Sequence, residues 1–145
     1  MRKQLLIILI LIPLMTYADA VEINGIYYNL VKKAKIAEIT RHPKHYSGEI
    51  IIPEKITYED TEYVVTAIGE YAFAGAEIST IIIPGNIETI GHWSFGKCYN
   101  LSSITLSEGL VSIGSEAFYD DYNLSSIVLP NSLKEIGENA FYGCI

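Results

Sequence analysis

A largely β solenoid, parallel strands stacked coil upon coil and sealed at its N-terminal end by antiparallel hairpins, is the fold this 145-residue sequence predicts. Three observations carry it. A six-residue phrase occurs four times: Ile68-Gly69-Glu70-Tyr71-Ala72-Phe73, Ile90-Gly91-His92-Trp93-Ser94-Phe95, Ile113-Gly114-Ser115-Glu116-Ala117-Phe118 and Ile136-Gly137-Glu138-Asn139-Ala140-Phe141. The copies are 22, 23 and 23 residues apart. Between them a second phrase recurs, as Ile78-Ser79-Thr80-Ile81-Ile82-Ile83-Pro84, Leu101-Ser102-Ser103-Ile104-Thr105-Leu106-Ser107 and Leu124-Ser125-Ser126-Ile127-Val128-Leu129-Pro130. A fixed period that keeps its apolar positions means one unit stacked on copies of itself.

Residues 1–20 read as a secretory signal peptide. Met1-Arg2-Lys3-Gln4 supplies the positive start, Leu5 to Met15 the apolar stretch and Ala18-Asp19-Ala20 the cleavage site. Eleven apolar residues fall well short of the ~20 that span a bilayer as a helix. With no cysteine near the cut, a lipoprotein is disfavoured. The mature chain then begins near Val21, without membrane insertion, and is exported to the medium or the cell surface.

Residues 21–47 are expected to form an N-terminal β cap, with 25–31 and 34–40 as paired strands around Lys32-Lys33. Such a cap covers core and unpaired strand edges that the first coil would otherwise expose. The repeats occupy 48–145. Ile50-Ile51-Ile52-Pro53 aligns with Ile81-Ile82-Ile83-Pro84, but 15 residues separate Pro53 from Ile68 where 6 separate Pro84 from Ile90. The extra stretch, Ile56 to Val65 around Glu59-Asp60, alternates as a β-hairpin does.

In each strand phrase Ile81, Ile104 and Ile127 share a face with Ile83, Leu106 and Leu129, while Ile82, Thr105 and Val128 point the other way. A second apolar pair per coil, Ile87 with Ile90, Leu110 with Ile113 and Leu133 with Ile136, faces the same core. Phe73, Phe95, Phe118 and Phe141 are expected to form an internal aromatic column. The chain stops at Ile145, where a further Leu-x-x-Ile strand would begin. The repeats are therefore read as incomplete at the C-terminus: a fragment of a longer reading frame, or a last coil covered by a partner or a second copy.

The phrases resemble the BspA-like leucine-rich-repeat family, whose repeat runs as proline, an apolar pair, Ile-Gly, two variable residues, Ala-Phe, then Gly-Cys and a Leu-x-x-Ile-x-Leu strand. Phe141-Tyr142-Gly143-Cys144 and Ile127-Val128-Leu129-Pro130 match closely, and Asn24-Gly25-Ile26-Tyr27-Tyr28 with Tyr46-Ser47-Gly48 looks like the leading segment of bacterial members. Ser94 departs from the usual alanine, Ala76 and Asp121 depart from the usual cysteine, and one residue is missing between Phe73 and Ile78. The resemblance implies a right-handed solenoid, α/β by leucine-rich-repeat convention. It also implies a secreted or surface protein that attaches to host proteins, other cells or matrix. The alternative is a noncatalytic carbohydrate-binding or accessory segment of a larger secreted protein.

Charge narrows the partners. The formal net charge is −7, and loss of Arg2, Lys3 and Asp19 with the signal peptide makes it one unit more negative. Nucleic acid and anionic membranes need clustered cations. The one such cluster, Lys32, Lys33 and Lys35, reads as the solvated tip of a hairpin.

Catalytic chemistry finds little support, and no cofactor or metal is expected. His42 and His45 flank Pro43 in a loop without a carboxylate at ligand spacing, and His92 fills a variable slot read as exposed. Asp120-Asp121 is not repeated on other coils, as a repeated calcium site would require. The serines at 102, 103, 125 and 126 lack a positioned base. Cys98 and Cys144 lie 46 residues apart, two whole repeats, so their Cα atoms should stand roughly 10 Å apart at about 4.8 Å per strand. That is too far for a disulfide, and both read as small buried hydrophobes.

What remains is surface. One candidate partner-binding strip is the outer strand face, with Thr80, Ser103 and Ser126 in one column and Ile82, Thr105 and Val128 in the next. The other is an aromatic sector on the turn side, with Tyr99 and Tyr122 one repeat apart and Trp93, Tyr119 and Tyr142 nearby. Such rings suit a host or cell-surface protein and a glycan alike.

Overall fold

Period-two alternation becomes strand wherever two coils lie side by side. The computed structural model describes residues 20–145, so the signal-peptide reading of 1–20 falls, but for Ala20, outside the described residues. Eleven strands follow in order: β1 (Val21–Ile23), β2 (Ile26–Val31), β3 (Ile36–Thr40), β4 (Ser47–Ile51), β5 (Lys55–Tyr58), β6 (Thr61–Ile68), β7 (Glu77–Ile83), β8 (Thr89–Ile90), β9 (Ser103–Leu106), β10 (Ser112–Ile113) and β11 (Glu135–Ile136). Among the described residues there is no helix, so α/β holds only as the family's convention.

Two sheets enclose the core. The smaller is parallel, in the order β4-β7-β9. Its register pairs Ile50 with Ile81 and Ile81 with Ile104, as the aligned phrases require. The larger runs β1-β2-β3-β6-β8-β10-β11, with β5 pairing β6 as the expected antiparallel hairpin. The cap does more than cover the first coil. After an antiparallel turn with β2, strand β3 lies parallel to β6 and places Ile39 beside Ile68. Ile68, Ile90, Ile113 and Ile136 then continue that column in register. β1, too short for its alternation to be read, pairs antiparallel with β2.

The glycine after each of these isoleucines exists because neighbouring coils touch there. A Cβ on Gly114 would stand 2.7 Å from the carbonyl carbon of Gly91, and one on Gly137 2.2 Å from the nitrogen of Ser115. The close approach closes Gly114 N–H to Ile90 O (2.7 Å) and Gly137 N–H to Ile113 O (2.8 Å).

The turn that follows is strained in every coil. Tyr71, Trp93, Glu116 and Asn139, all two residues before the phenylalanine, hold φ between 52° and 56°. A non-glycine residue in this region costs on the order of 1 kcal/mol or more. Inter-coil hydrogen bonds offset it: Trp93 N–H to Ser115 O (3.1 Å), Phe95 N–H to Ala117 O (2.8 Å) and Lys97 N–H to Tyr119 O (2.7 Å) link one turn to the next. The irregular turn is thereby a ladder in its own right, with its backbone groups paired. Inside it the phenylalanines stack as expected, at centroid distances of 5.1, 5.0 and 5.2 Å and interplanar angles of 1–4°. Phe73, Phe95 and Phe118 are buried and Phe141 half-buried.

Both thiols are free, as expected. Cys98 Sγ donates to Phe73 O (3.0 Å) and Cys144 Sγ to Phe118 O (3.2 Å), each reaching the coil before its own. Burial pushes both thiols up, Cys144 to about 11, so neither is a thiolate at neutral pH.

The last strand phrase departs from expectation. Segment 124–130 forms no ladder with β9, and Leu129, expected inside with Ile83 and Leu106, is 41% exposed. Ile136, expected in the core, is exposed as well. The last coil has a described neighbour on one side only, and residues 124–130 make no ladder bond to that neighbour, so nothing holds them straight as β4 and β9 hold β7.

Candidate interaction surface

Outward positions on the smaller sheet are set by the strand period. Thr80 pairs with Ser103 and Ile82 with Thr105, the two columns expected. β4 extends both, pairing Glu49 with Thr80 and Ile51 with Ile82. The strip is therefore longer than the repeats alone suggested, and it is charged at Glu49. The alignment of Ile50-Ile51-Ile52 with Ile81-Ile82-Ile83 held that information. Ile51 is 70% and Ile82 40% exposed. Ser126 and Val128 are exposed too, but they lie on the unpaired segment and do not join the paired columns.

The aromatic sector is brought together by a slot the sequence leaves empty. Trp93 lies two residues before its phenylalanine and Tyr119 one residue after. They meet because Gly96 has no side chain: a Cβ there would stand 2.4 Å from the indole of Trp93. The indole stacks on Tyr119 at 5.3 Å, and Tyr119 on Tyr142 at 5.0 Å. Tyr71 continues the row at 6.4 Å from Trp93. Trp93 Nε1 donates to Glu116 Oε2 (2.6 Å), and Lys97 Nζ lies 5.7 Å from the ring centroid. Tyr99 and Tyr122 stack separately at 5.7 Å, their planes parallel.

This geometry decides what the rings can do. Sugar stacking needs an open ring face, and along each row the inner faces are turned to one another, which leaves only the outer face of the end rings for a sugar. The rows offer ring edges and hydroxyls instead, and act as an outer spine that ties coil to coil. Trp93→Ala is expected to lower the unfolding free energy by about 2 kcal/mol, read by urea titration, because it empties the middle of the spine.

The remaining candidates settle differently. His92, read as exposed, is half-buried: its Nδ1 lies 2.8 Å from Ser115 O and its ring meets Tyr71 edge-on. The inter-coil bond gives the ring a partner that a single coil does not show. His45 is exposed, while His42 is wedged between Tyr27 and Tyr46. Asn123 donates through Nδ2 to Tyr99 O, one coil back. Among the described residues no three histidine, cysteine or carboxylate groups cluster as metal ligands. Asp121 is fully buried in the column of Ala76, Cys98 and Cys144. Its Oδ1 accepts the Cys98 N–H (2.8 Å), and burial pushes its carboxyl up to about 8.

Parallel strands in register, an isoleucine-glycine contact and a buried phenylalanine column, repeated coil after coil, define a leucine-rich-repeat protein. The chain belongs to the BspA type of leucine-rich-repeat proteins: the BspA type leucine rich repeat region matches residues 49–145 in six copies. Among solved structures it is similar to a leucine-rich repeat protein from Bacteroides capillosus, with 30% identity and a TM-score of 0.75 over 81% of this chain and 87% of that one. A leucine-rich repeat protein from Bacteroides ovatus is 34% identical with a TM-score of 0.75, over 86% of this chain but 33% of its own length. The T. pallidum leucine-rich repeat protein is 26% identical with a TM-score of 0.66, over 86% of this chain and 67% of that one. No curated protein matches.

Proposed function

We propose that this protein is an exported, noncatalytic binding module that attaches through the outer face of its smaller sheet to a protein on a host or neighbouring cell. The observation that carries the reading is the apolar column in which Ile51 and Ile82 stand side by side, exposed, on a rigid paired sheet. Folding gains nothing from exposing them there, whereas an interface core gains from burying them. Membership of the BspA type and the leader at 1–20 support export. The net charge of −7 supports a protein over a nucleic acid or an anionic membrane as partner.

The test is plate capture by purified protein of a panel of host proteins, fibronectin among them, with glycans alongside. Ile51→Lys and Ile82→Lys together should cut capture at least about ten-fold, since a charge is placed in a contact that must be desolvated. The melting temperature should hold, because both side chains already face solvent. Capture that survives this pair but is lost with Trp93→Ala and Tyr122→Ala, and that is of glycans, would overturn the reading in favour of a carbohydrate-binding segment.

A further inference from the structure

We propose that the free edge of β4 takes up an extended acidic peptide, which joins the smaller sheet as a fourth strand. This site adjoins the sheet face proposed above and shares Ile51 with it, but its ligand is recognised by main chain and charge.

The edge is open in hydrogen-bonding terms. β4 pairs with β7 on one side only. Ile52 N–H donates to Ile82 O, so Ile50 and Ile52 direct their backbone groups to β7. Strand alternation turns the N–H and C=O of Glu49 and Ile51 to the other side, where no described residue bonds them. Beyond them lies space: a cleft of about 350 Å³ between β4 and the β1–β2 turn, walled by Asn24, Ile26, His42, Tyr46 and Ile50. A second cleft of about 420 Å³ continues it past Ile51 toward Tyr28 and Ile56. An edge strand beside an open trough is the arrangement that β-strand addition uses: main-chain bonds give affinity and the trough takes alternate side chains.

Charge selects the occupant. On a protein of net charge −7, the exposed Arg41 and Lys44 sit in loop 41–45, whose His42 and His45 line the first cleft, and neither cation has a carboxylate within ion-pair distance among the described residues, where the ion pair is Lys55 with Glu62. His42 Nδ1 accepts the Lys44 N–H (2.8 Å), which leaves Nε2 as the donor of this cleft-lining ring. Glu49 is the carboxylate on that wall, and it favours placing the ligand's acidic end at loop 41–45. The same net charge opposes joining two copies edge to edge.

The experiment uses the purified full chain and a fluorescein-labelled peptide, Glu-Glu-Thr-Val-Thr-Val-Thr, read by polarisation and by amide hydrogen exchange. It should bind about five-fold more tightly than its Lys-Lys counterpart, the effect of two exposed ion pairs. Binding should slow exchange at Glu49 and Ile51 and vanish when alternate peptide amides are N-methylated. Ile51→Pro deletes one outward donor while sparing the ladder to β7, and should weaken binding at least about ten-fold. Should that variant not fold, Arg41→Glu with Lys44→Glu must instead abolish the acidic preference. Equal binding of the lysine or N-methylated peptide overturns the proposal. So does protection of Glu49 and Ile51 in the free protein, which would mean that a second copy or another stretch of this chain holds the edge.

Discussion

Phe118→Ala should lower the unfolding free energy by about 4 kcal/mol, within the 3–5 kcal/mol range for a buried phenylalanine, and depress the melting temperature by on the order of 15 °C. The ring is fully buried, with Phe95 5.0 Å away on one face and Phe141 5.2 Å away on the other. Its removal leaves a cavity that the coil cannot collapse into. The backbone around it is fixed by Phe118 N–H to Ala140 O (2.7 Å) and by the left-handed Glu116 two residues earlier. Phe141→Ala provides the internal comparison. That ring is half-buried and stacks on one side, so its loss should cost roughly half as much. Urea denaturation of the two variants followed by circular dichroism makes the comparison. Equal losses would mean that the column is not where the coils gain their stability.

That column was legible in the sequence because one residue type recurs at one period, and a stack converts period into contact. The same holds for the isoleucine-glycine pairs, the β5–β6 hairpin and the thiols that do not meet. Features that depend on two coils at once were harder to see. Asp121 was identified as a departure at the cysteine position, but its burial follows from what lies on the neighbouring coils. Trp93 meets Tyr119 because Gly96 is empty, a relation between different slots of successive repeats that aligning the repeats hides. His92 fills a variable slot yet is held by the carbonyl of Ser115. The contribution of β3 to the isoleucine column was illegible for another reason: Ile39 sits outside the repeat phrase, and parallel pairing with β6 places it. Ser126 and Val128 show the converse limit, since a strand phrase makes a strand only where its neighbour pairs with it.

Asp121 should make this acidic protein more stable in mild acid than at neutral pH. Its carboxyl is fully buried; Oδ1 accepts the Cys98 N–H (2.8 Å), while Oδ2 is buried with no hydrogen-bond partner. Burial is the larger cause of its raised pKa, about 8, opposed by the Cys98 N–H and reinforced by the charge of Asp120. The unfolded value is about 3.9, so the folded state binds the proton more tightly. Stability from this group is therefore complete below about pH 4, declines as pH rises toward 8 and levels off above it. At about 1.4 kcal/mol per unit, the decline between pH 5 and pH 7.5 is about 3 kcal/mol. Asp121→Ala should flatten that slope. Ala76 shows that the column accepts alanine, and Cys98 N–H keeps a second acceptor in Phe95 O (3.0 Å). The variant should accordingly be weaker than the parent at pH 5, where it lacks a well-packed neutral carboxyl, and at least as stable at pH 8, where it avoids a buried charge. Denaturant titrations at pH 5, 6.5 and 8 give the two stability curves, which should cross. Curves that run parallel across that range would show that Asp121 keeps one protonation state throughout, and the carboxyl would then be a fixed polar group in the core with no part in how the fold responds to pH.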